Sequence, residues 1–130
     1  MKSVAFDAAL RARLATNLSR HAPAPPAPHA LKRAAVCVLV IDDGRGEAAF
    51  LLTRRAEHLS AHSGQYALPG GRIDGGESAL DAARREAREE IGLELAPQHF
   101  LGALDDYPTR SGYLITPLVA WVAHGARLSP

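Results

Sequence analysis

Residues 70–93 read GGRIDGGESALDAARREAREEIGL, a glycine-rich stretch that runs into a helix crowded with charge. Ser78 is placed to be the N-cap, with Asp81 three residues on as its capping-box partner. Gly92 is placed just past the last turn, where a left-handed residue ends a helix. At ~100° per residue, Leu80, Ala83, Ala87 and Ile91 share one side of this helix. Glu86, Glu89 and Glu90 gather on another side, at i, i+3 and i+4. The expected helix buries a slim stripe of mostly small residues and displays a carboxylate cluster.

Three carboxylates that close together repel one another. Arginine relieves the repulsion, and Arg85 stands at i,i+4 spacing from Glu89. On the helix alone the reading is a solvated, salt-bridged face, as for most charge runs. A hard dication relieves the repulsion better, since it takes oxygen ligands from a few carboxylates together with substrate phosphates.

Spacing separates the two readings. Gly71 is followed by five residues and Glu77, then by seven residues and Arg85-Glu86-Ala87-Arg88-Glu89-Glu90-Ile91-Gly92-Leu93. This resembles the Nudix box, G-x5-E-x7-R-E-U-x-E-E-x-G-U, with U a bulky apolar residue. Every fixed position is present, and Ala87 is small where the pattern prefers bulk. A match over so many fixed positions is far more specific than a lone glycine motif. The resemblance implies an α/β fold, an α/β/α sandwich around a mixed sheet. It implies Mg²⁺ or Mn²⁺ held by Glu86, Glu89, Glu90 and the carbonyl of Gly71. It makes Glu77 and Arg85 braces between helix and loop, with Arg85 also orienting a carboxylate, Glu89 the candidate general base, and Gly92 a structural position of the box. In some Nudix enzymes the base comes instead from a later loop.

Residues 51–71, LLTRRAEHLSAHSGQYALPGG, narrow the group. They resemble the signature of coenzyme A pyrophosphatases within the Nudix superfamily, L-L-T-x-R-[SA]-x3-R-x3-G-x3-F-P-G-G. Leu51, Leu52, Thr53, Arg55, Ala56, Gly64, Pro69, Gly70 and Gly71 match. Ser60 stands where the signature has arginine, removing one expected phosphate contact, and Leu68 stands where it has phenylalanine. Pro69-Gly70-Gly71 is expected to form a tight turn whose glycines let backbone approach a ligand. The resemblance implies substrate contacts from Arg55, Gly64 and Gly70, and cleavage of coenzyme A or acyl-coenzyme A at its diphosphate. Nudix hydrolysis of another diphosphate, or metal and nucleotide binding without turnover, are the alternatives. Arg54 and Arg55 are both phosphate-binding candidates, but strand alternation turns them to opposite faces. His58 and His62, four apart, have no acidic partner in a zinc-protease pattern and are assigned to a surface or substrate loop.

Composition narrows the rest. The 130 residues fit one domain with a single modest core. Lys+Arg number 15 against 14 Asp+Glu, so there is no basic field for nucleic acid, and aromatic residues are too sparse for base stacking. No apolar run reaches the ~20 residues of a membrane span, and the N-terminus lacks the apolar core of a secretory signal. The single cysteine, Cys37, lies in the apolar run Val36–Ile41 and reads as core rather than nucleophile. With no intrachain disulfide possible, the expectation is a reducing compartment, the cytoplasm.

Around these stretches the chain divides in two. Phe6, Leu10, Leu14 and Leu18 recur every four residues and predict an amphipathic helix over 4–20. Residues 21–30, HAPAPPAPHA, hold four of the nine prolines and form a stiff connector. Residues 1–30 are thus a helix with its linker, and 31–130 the Nudix domain. Strands are expected at 34–41 and 48–55, joined by the turn Asp42–Gly46, and at 100–104 and 113–123, the last broken by Pro117. Thr109, Ser111 and Gly112 fall in the run L-x-x-Y-x-T-x-S-G-Y-x-x-x-P, again similar to the coenzyme A group; ligand contact by Thr109 and Ser111 and plain turn chemistry are both open. A Nudix fold normally continues with a second, C-terminal helix, and the sequence offers none, so the domain looks truncated. Either the sequence is a fragment, or a partner or the helix at 4–20 covers the second sheet face. Leu114, Ile115, Leu118, Val119, Trp121 and Val122 are expected to form an exposed patch, and the chain is expected to dimerise or aggregate.

Overall fold

The computed structural model describes residues 4–21, 32–54 and 66–123. The apolar run at 34–41 becomes strand β1 (Lys32–Asp42), the axis of a mixed sheet. Helix α1 (Ala8–Arg20) precedes it. After it come β2 (Ala48–Phe50), β3 (Thr53–Arg54), β4 (Tyr66–Ala67), β5 (Gly70–Arg72) and helix α2 (Ala79–Ile91). The chain then adds β6 (Phe100–Ala103), β7 (Tyr107–Pro108) and β8 (Tyr113–Trp121). β1 runs parallel to β8 along its length, and pairs antiparallel with β5 and β2 on its other edge. β6 and β7 share the far edge of β8, while β3 and β4 form a separate pair.

Both faces of β1 are covered, which is why its sequence is almost continuously apolar. Ala35, Cys37 and Leu39 pack with Ala82, Ala83, Ala87 and Ile91 of α2. Val40 and the half-buried Val38 point the other way, into a cluster with Leu10, Leu14 and Leu18 of α1 and with Val119 and Trp121. Phe6 stacks on Trp121, ring centroids 4.1 Å apart and planes nearly parallel. The patch expected to lie open on β8 is therefore covered: Leu114, Leu118, Val119, Trp121 and Val122 are buried. The N-terminal helix covers Val119 and Trp121, while Leu118 and Val122 pack under α2, which removes the motive for expecting dimerisation or aggregation through the α1 face.

Other expectations are also corrected. The first helix starts at Ala8 rather than residue 4, because the backbone before it is engaged elsewhere. Phe6 N–H donates to Gly46 O and Val4 O accepts from Ala48 N–H, so these residues line the β1–β2 hairpin, and Asp7 then caps α1 by accepting from Leu10 N–H. The second strand does not run on to Arg55. After Leu51 the chain leaves β1 and Thr53 pairs with Ala67. Pro117 does not break β8. Its carbonyl accepts from Leu104 N–H, so its missing donor faces the junction between β6 and β7, where no ladder bond is needed. The loop expected at 105–112 contains β7. Pro69-Gly70-Gly71 is not a tight turn: Gly70 and Gly71 enter β5 beside β1.

Candidate active site

Strand β5 and helix α2 build the site. α2 begins at Ser78, whose Oγ accepts from Asp81 N–H at 3.0 Å, and ends at Gly92, with φ 67° and its N–H bonded to the carbonyls of Ala87 and Arg88. Its buried stripe is three alanines and Ile91. Small side chains let the helix lie close to the sheet, and the closeness shows at Gly71, where a Cβ would run into the Glu86 carboxylate. At its neighbour Gly70, the N–H donates to Glu90 Oε2 at 3.2 Å. Two carboxylates of the helix thus reach the backbone of one strand.

Arg85 organises the rest. Its Nε and Nη2 donate to the two oxygens of Glu77, at 2.8 and 3.0 Å. Nη1 donates to Glu86 Oε1 at 2.9 Å and to Glu89 Oε2 at 3.4 Å, the i,i+4 contact foreseen from sequence. Nη2 also donates to Arg72 O, and Asp74 lies 3.5 Å away. Glu77 Oε1 accepts from Asp74 N–H, closing the loop before the helix. These bonds hold the Glu77 carboxyl at about 2, through Arg85 first and the Asp74 amide second, and they raise the Arg85 guanidinium further above its usual range. Loop, strand and helix are locked through one bidentate arginine.

Among the described residues, no three His, Cys, Asp or Glu side chains converge as a metal cage: Glu86 and Glu89 turn to Arg85, and Glu90 turns to Gly70. The donor set nonetheless fits a hard dication in kind. It consists of oxygens alone, from three carboxylates of one helix, beside a strand whose Gly71 leaves its backbone bare toward Glu86. Cys37 lies beneath, fully buried, its S–H directed at Ala83 O. Burial above all, then the charges of Glu90 and Glu86, push its thiol up to about 12, in keeping with a core residue and not a nucleophile.

Of the residues singled out from sequence, Gly70, Gly71, Glu77, Arg85, Glu86, Glu89 and Glu90 come together here. Thr109 and Ser111 do not. They lie in the β7–β8 turn, bonded to each other at 2.9 Å, and Thr109 also bonds to Tyr113 backbone. That is the turn-chemistry reading. Arg55, Gly64, His58 and His62 lie outside the described residues. The sequence reading passed over Asp74, which joins the Arg85 network, and over Arg33, which bonds to Thr116 and Asp106. A signal for the latter was present: Thr116 is a polar residue in an apolar strand, and Arg33 directly precedes the apolar run of β1.

Residues 31–128 match the family model described as the NUDIX domain. A Yersinia pestis protein described as an uncharacterized Nudix hydrolase, NudL, is 45% identical over 92 residues, covering 70% of this chain and 45% of that protein. The chain thus spans less than half the length of the curated relatives it matches. A MutT/nudix family protein from Enterococcus faecalis superposes with a TM-score of 0.64 at 21% identity, over 92% of this chain and 46% of that one. The Nudix hydrolase RenU of M. smegmatis superposes with a TM-score of 0.58 at 28% identity, over 76% and 66% respectively.

Proposed function

The chain belongs to the Nudix family, and on that footing we propose that it is a metal-dependent hydrolase that splits the diphosphate of coenzyme A or an acyl-coenzyme A. The products are 4′-phosphopantetheine, free or acylated, and adenosine 3′,5′-bisphosphate. The observation that carries the hydrolase reading is the Glu86 carboxylate seated against Gly71, with Glu89 and Glu90 about one turn on. Substrate choice rests on residues 51–71, where the coenzyme A signature is matched except at Ser60 and Leu68. We assign residues 31–130 to the catalytic domain and 1–30 to a helix with its linker, and place the protein in the cytoplasm, where a single buried thiol stays reduced.

In the reaction one P–O bond of the anhydride breaks and water supplies the new oxygen. Mg²⁺ or Mn²⁺ held by Glu86, Glu89, Glu90 and the Gly71 carbonyl would neutralise the phosphates and lower the pKa of a bound water. Arg85 is a positioning residue. One nitrogen holds Glu86 and Glu89 while the others hold Glu77, so both carboxylates are set relative to the loop. Glu89 is the more exposed of the two, its side chain 54% accessible against 15% for Glu86, and is the candidate general base. Glu90 fixes β5 to the helix through the Gly70 amide.

Glu86→Gln keeps the shape of the side chain and removes its charge. Turnover should fall by about 100-fold or more, a change of the size seen when one preorganised electrostatic contact is lost, with little change in thermal unfolding. Full activity at saturating Mg²⁺ overturns the site. The substrate is tested alongside: coenzyme A should show a higher kcat/KM than ADP-ribose. The departures at Ser60 and Leu68 favour a second reading, another nucleoside diphosphate derivative, and a reversed ranking would select it.

A further inference from the structure

Arg85 is the arginine nearest the carboxylates, and it is saturated by them. Arg33 is held differently. It lies near the start of β1, two residues before Ala35, so alternation puts both on the α2 face of the sheet. Ala35 pairs with Gly71, the residue against which Glu86 sits, and Arg33 O accepts from Ile73 N–H at the end of β5. Along the strand, the Arg33 backbone is therefore ~7 Å beyond Ala35 on the same face, and its guanidinium leans over β8, on the edge of β1 opposite β5.

Two residues fix the direction of its side chain. Arg33 Nη2 donates to Thr116 Oγ1 at 3.0 Å, and Thr116 Oγ1 in turn donates to Asp106 Oδ1 at 2.7 Å. Asp106 Oδ2 is 3.6 Å from the guanidinium. Thr116 is buried and the Asp106 side chain is only 16% accessible, whereas that of Arg33 is 49% accessible. Arg85 is clamped bidentately by Glu77; among the described residues, Arg33 has one short bond, to a neutral hydroxyl, and a longer contact to a carboxylate whose shorter bond goes to Thr116. Thr116 and Asp106 orient the guanidinium without neutralising it through a bidentate bond. Nearby, Asp74, Glu77, Glu86, Glu89 and Glu90 make the field acidic, so an anionic group of the substrate lying away from the scissile bond needs a cation of this kind.

We propose that Arg33, held by Thr116 and Asp106, binds a phosphate monoester of the substrate that lies outside the diphosphate being split. This deepens the hydrolase reading and rests on it. A coenzyme A-like substrate carries such a group on its ribose, one nucleoside away from the scissile diphosphate. Arg33 would then select 3′-phosphorylated substrates over those that lack the group.

The test compares coenzyme A with 3′-dephospho-coenzyme A on the full chain, its Arg33→Ala variant and its Arg33→Lys variant. Loss of a charge-assisted bond predicts a fall of about 10- to 100-fold in kcat/KM for coenzyme A with Arg33→Ala, carried by KM. The dephospho substrate should change little, and lysine should restore part of the difference. Equal losses on both substrates, or no loss on either, overturn the proposal and leave a structural ion pair. Calorimetry gives a readout independent of turnover: adenosine 3′,5′-bisphosphate should bind more tightly than AMP to the wild type, and Arg33→Ala should abolish the gap. If the wild type splits neither substrate, the hydrolase reading fails. The calorimetry then still decides for or against Arg33, since an absent gap, or one that survives the substitution, overturns it.

Discussion

Both faces of the sheet carry a helix, and each helix presses against a strand at a glycine. On the α1 face the place of a Cβ at Gly102 is taken by Leu18, whose own Cβ is 2.7 Å from it. On the α2 face the place of a Cβ at Gly71 is taken by the Glu86 carboxylate. The device is the same and the occupant differs. α1 packs through Leu10, Leu14 and Leu18, joined by Phe6 and Trp121, bulky groups that bury apolar area. α2 packs through Ala82, Ala83 and Ala87, which bury less but let charged groups at the helix edge reach strand backbone. α1 packs through bulky side chains; α2 gives up side-chain volume along its contact stripe to position carboxylates, and Leu39, Leu93, Leu95, Leu118 and Val122 from outside the helix fill the core on its face.

The largest effect that tests this division is expected at Trp121. It is buried on the α1 face and stacked by Phe6. Trp121→Ala should cost ~3–5 kcal/mol, the usual range for a buried aromatic, while kcat measured well below the melting temperature stays near wild type. A large loss of kcat in protein shown to be folded would mean that the α1 face reaches the chemistry, and the division would be wrong.

A matched pair sharpens it. Gly71→Ala and Gly102→Ala each drive a methyl group into an occupied place, and each should cost ~1–3 kcal/mol. They should differ in turnover. The methyl group at Gly71 displaces Glu86, so activity should fall with it, whereas at Gly102 it displaces a leucine and activity should hold. Urea unfolding and steady-state kinetics on both proteins read the contrast, and equal turnover in the two variants removes it.

What could be read in advance follows from the same contrast. The α2 helix was legible because its cap at Ser78, its stop at Gly92 and its i, i+3, i+4 carboxylates are local patterns. The apolar run of β1 was legible for the same reason, and its unbroken character signalled burial on both faces. The α1 periodicity was visible, but not its destination. Phe6 meets Trp121 across almost the whole chain and His21 meets Asp105 across 84 residues, and the first of these helped turn the expected open patch on β8 into core. Pro117 misled because its tolerance depends on which edge its missing donor faces, and topology alone determines that. Arg33 is far in sequence from Thr116 and Asp106 and meets them only through the parallel pairing of β1 with β8.

The smallest expected effect lies at the entry to α1. Asp7, in extended conformation, accepts from Leu10 N–H at 2.8 Å and begins the helix directly after the segment that lines the β1–β2 hairpin. Without that cap the first-turn amide has only water to bond, while the leucine face still packs on the sheet. Asp7→Ala should therefore cost ~1 kcal/mol and leave kcat and KM unchanged. Asp7→Asn, which retains the accepting oxygen, should restore most of the stability. Thermal unfolding of the three proteins measures the cost, and parallel kinetics test its confinement to the α1 face. If Asn fails to rescue, the negative charge at the helix N-terminus matters more than the cap bond. If kcat moves with stability, α1 does more than cover the sheet.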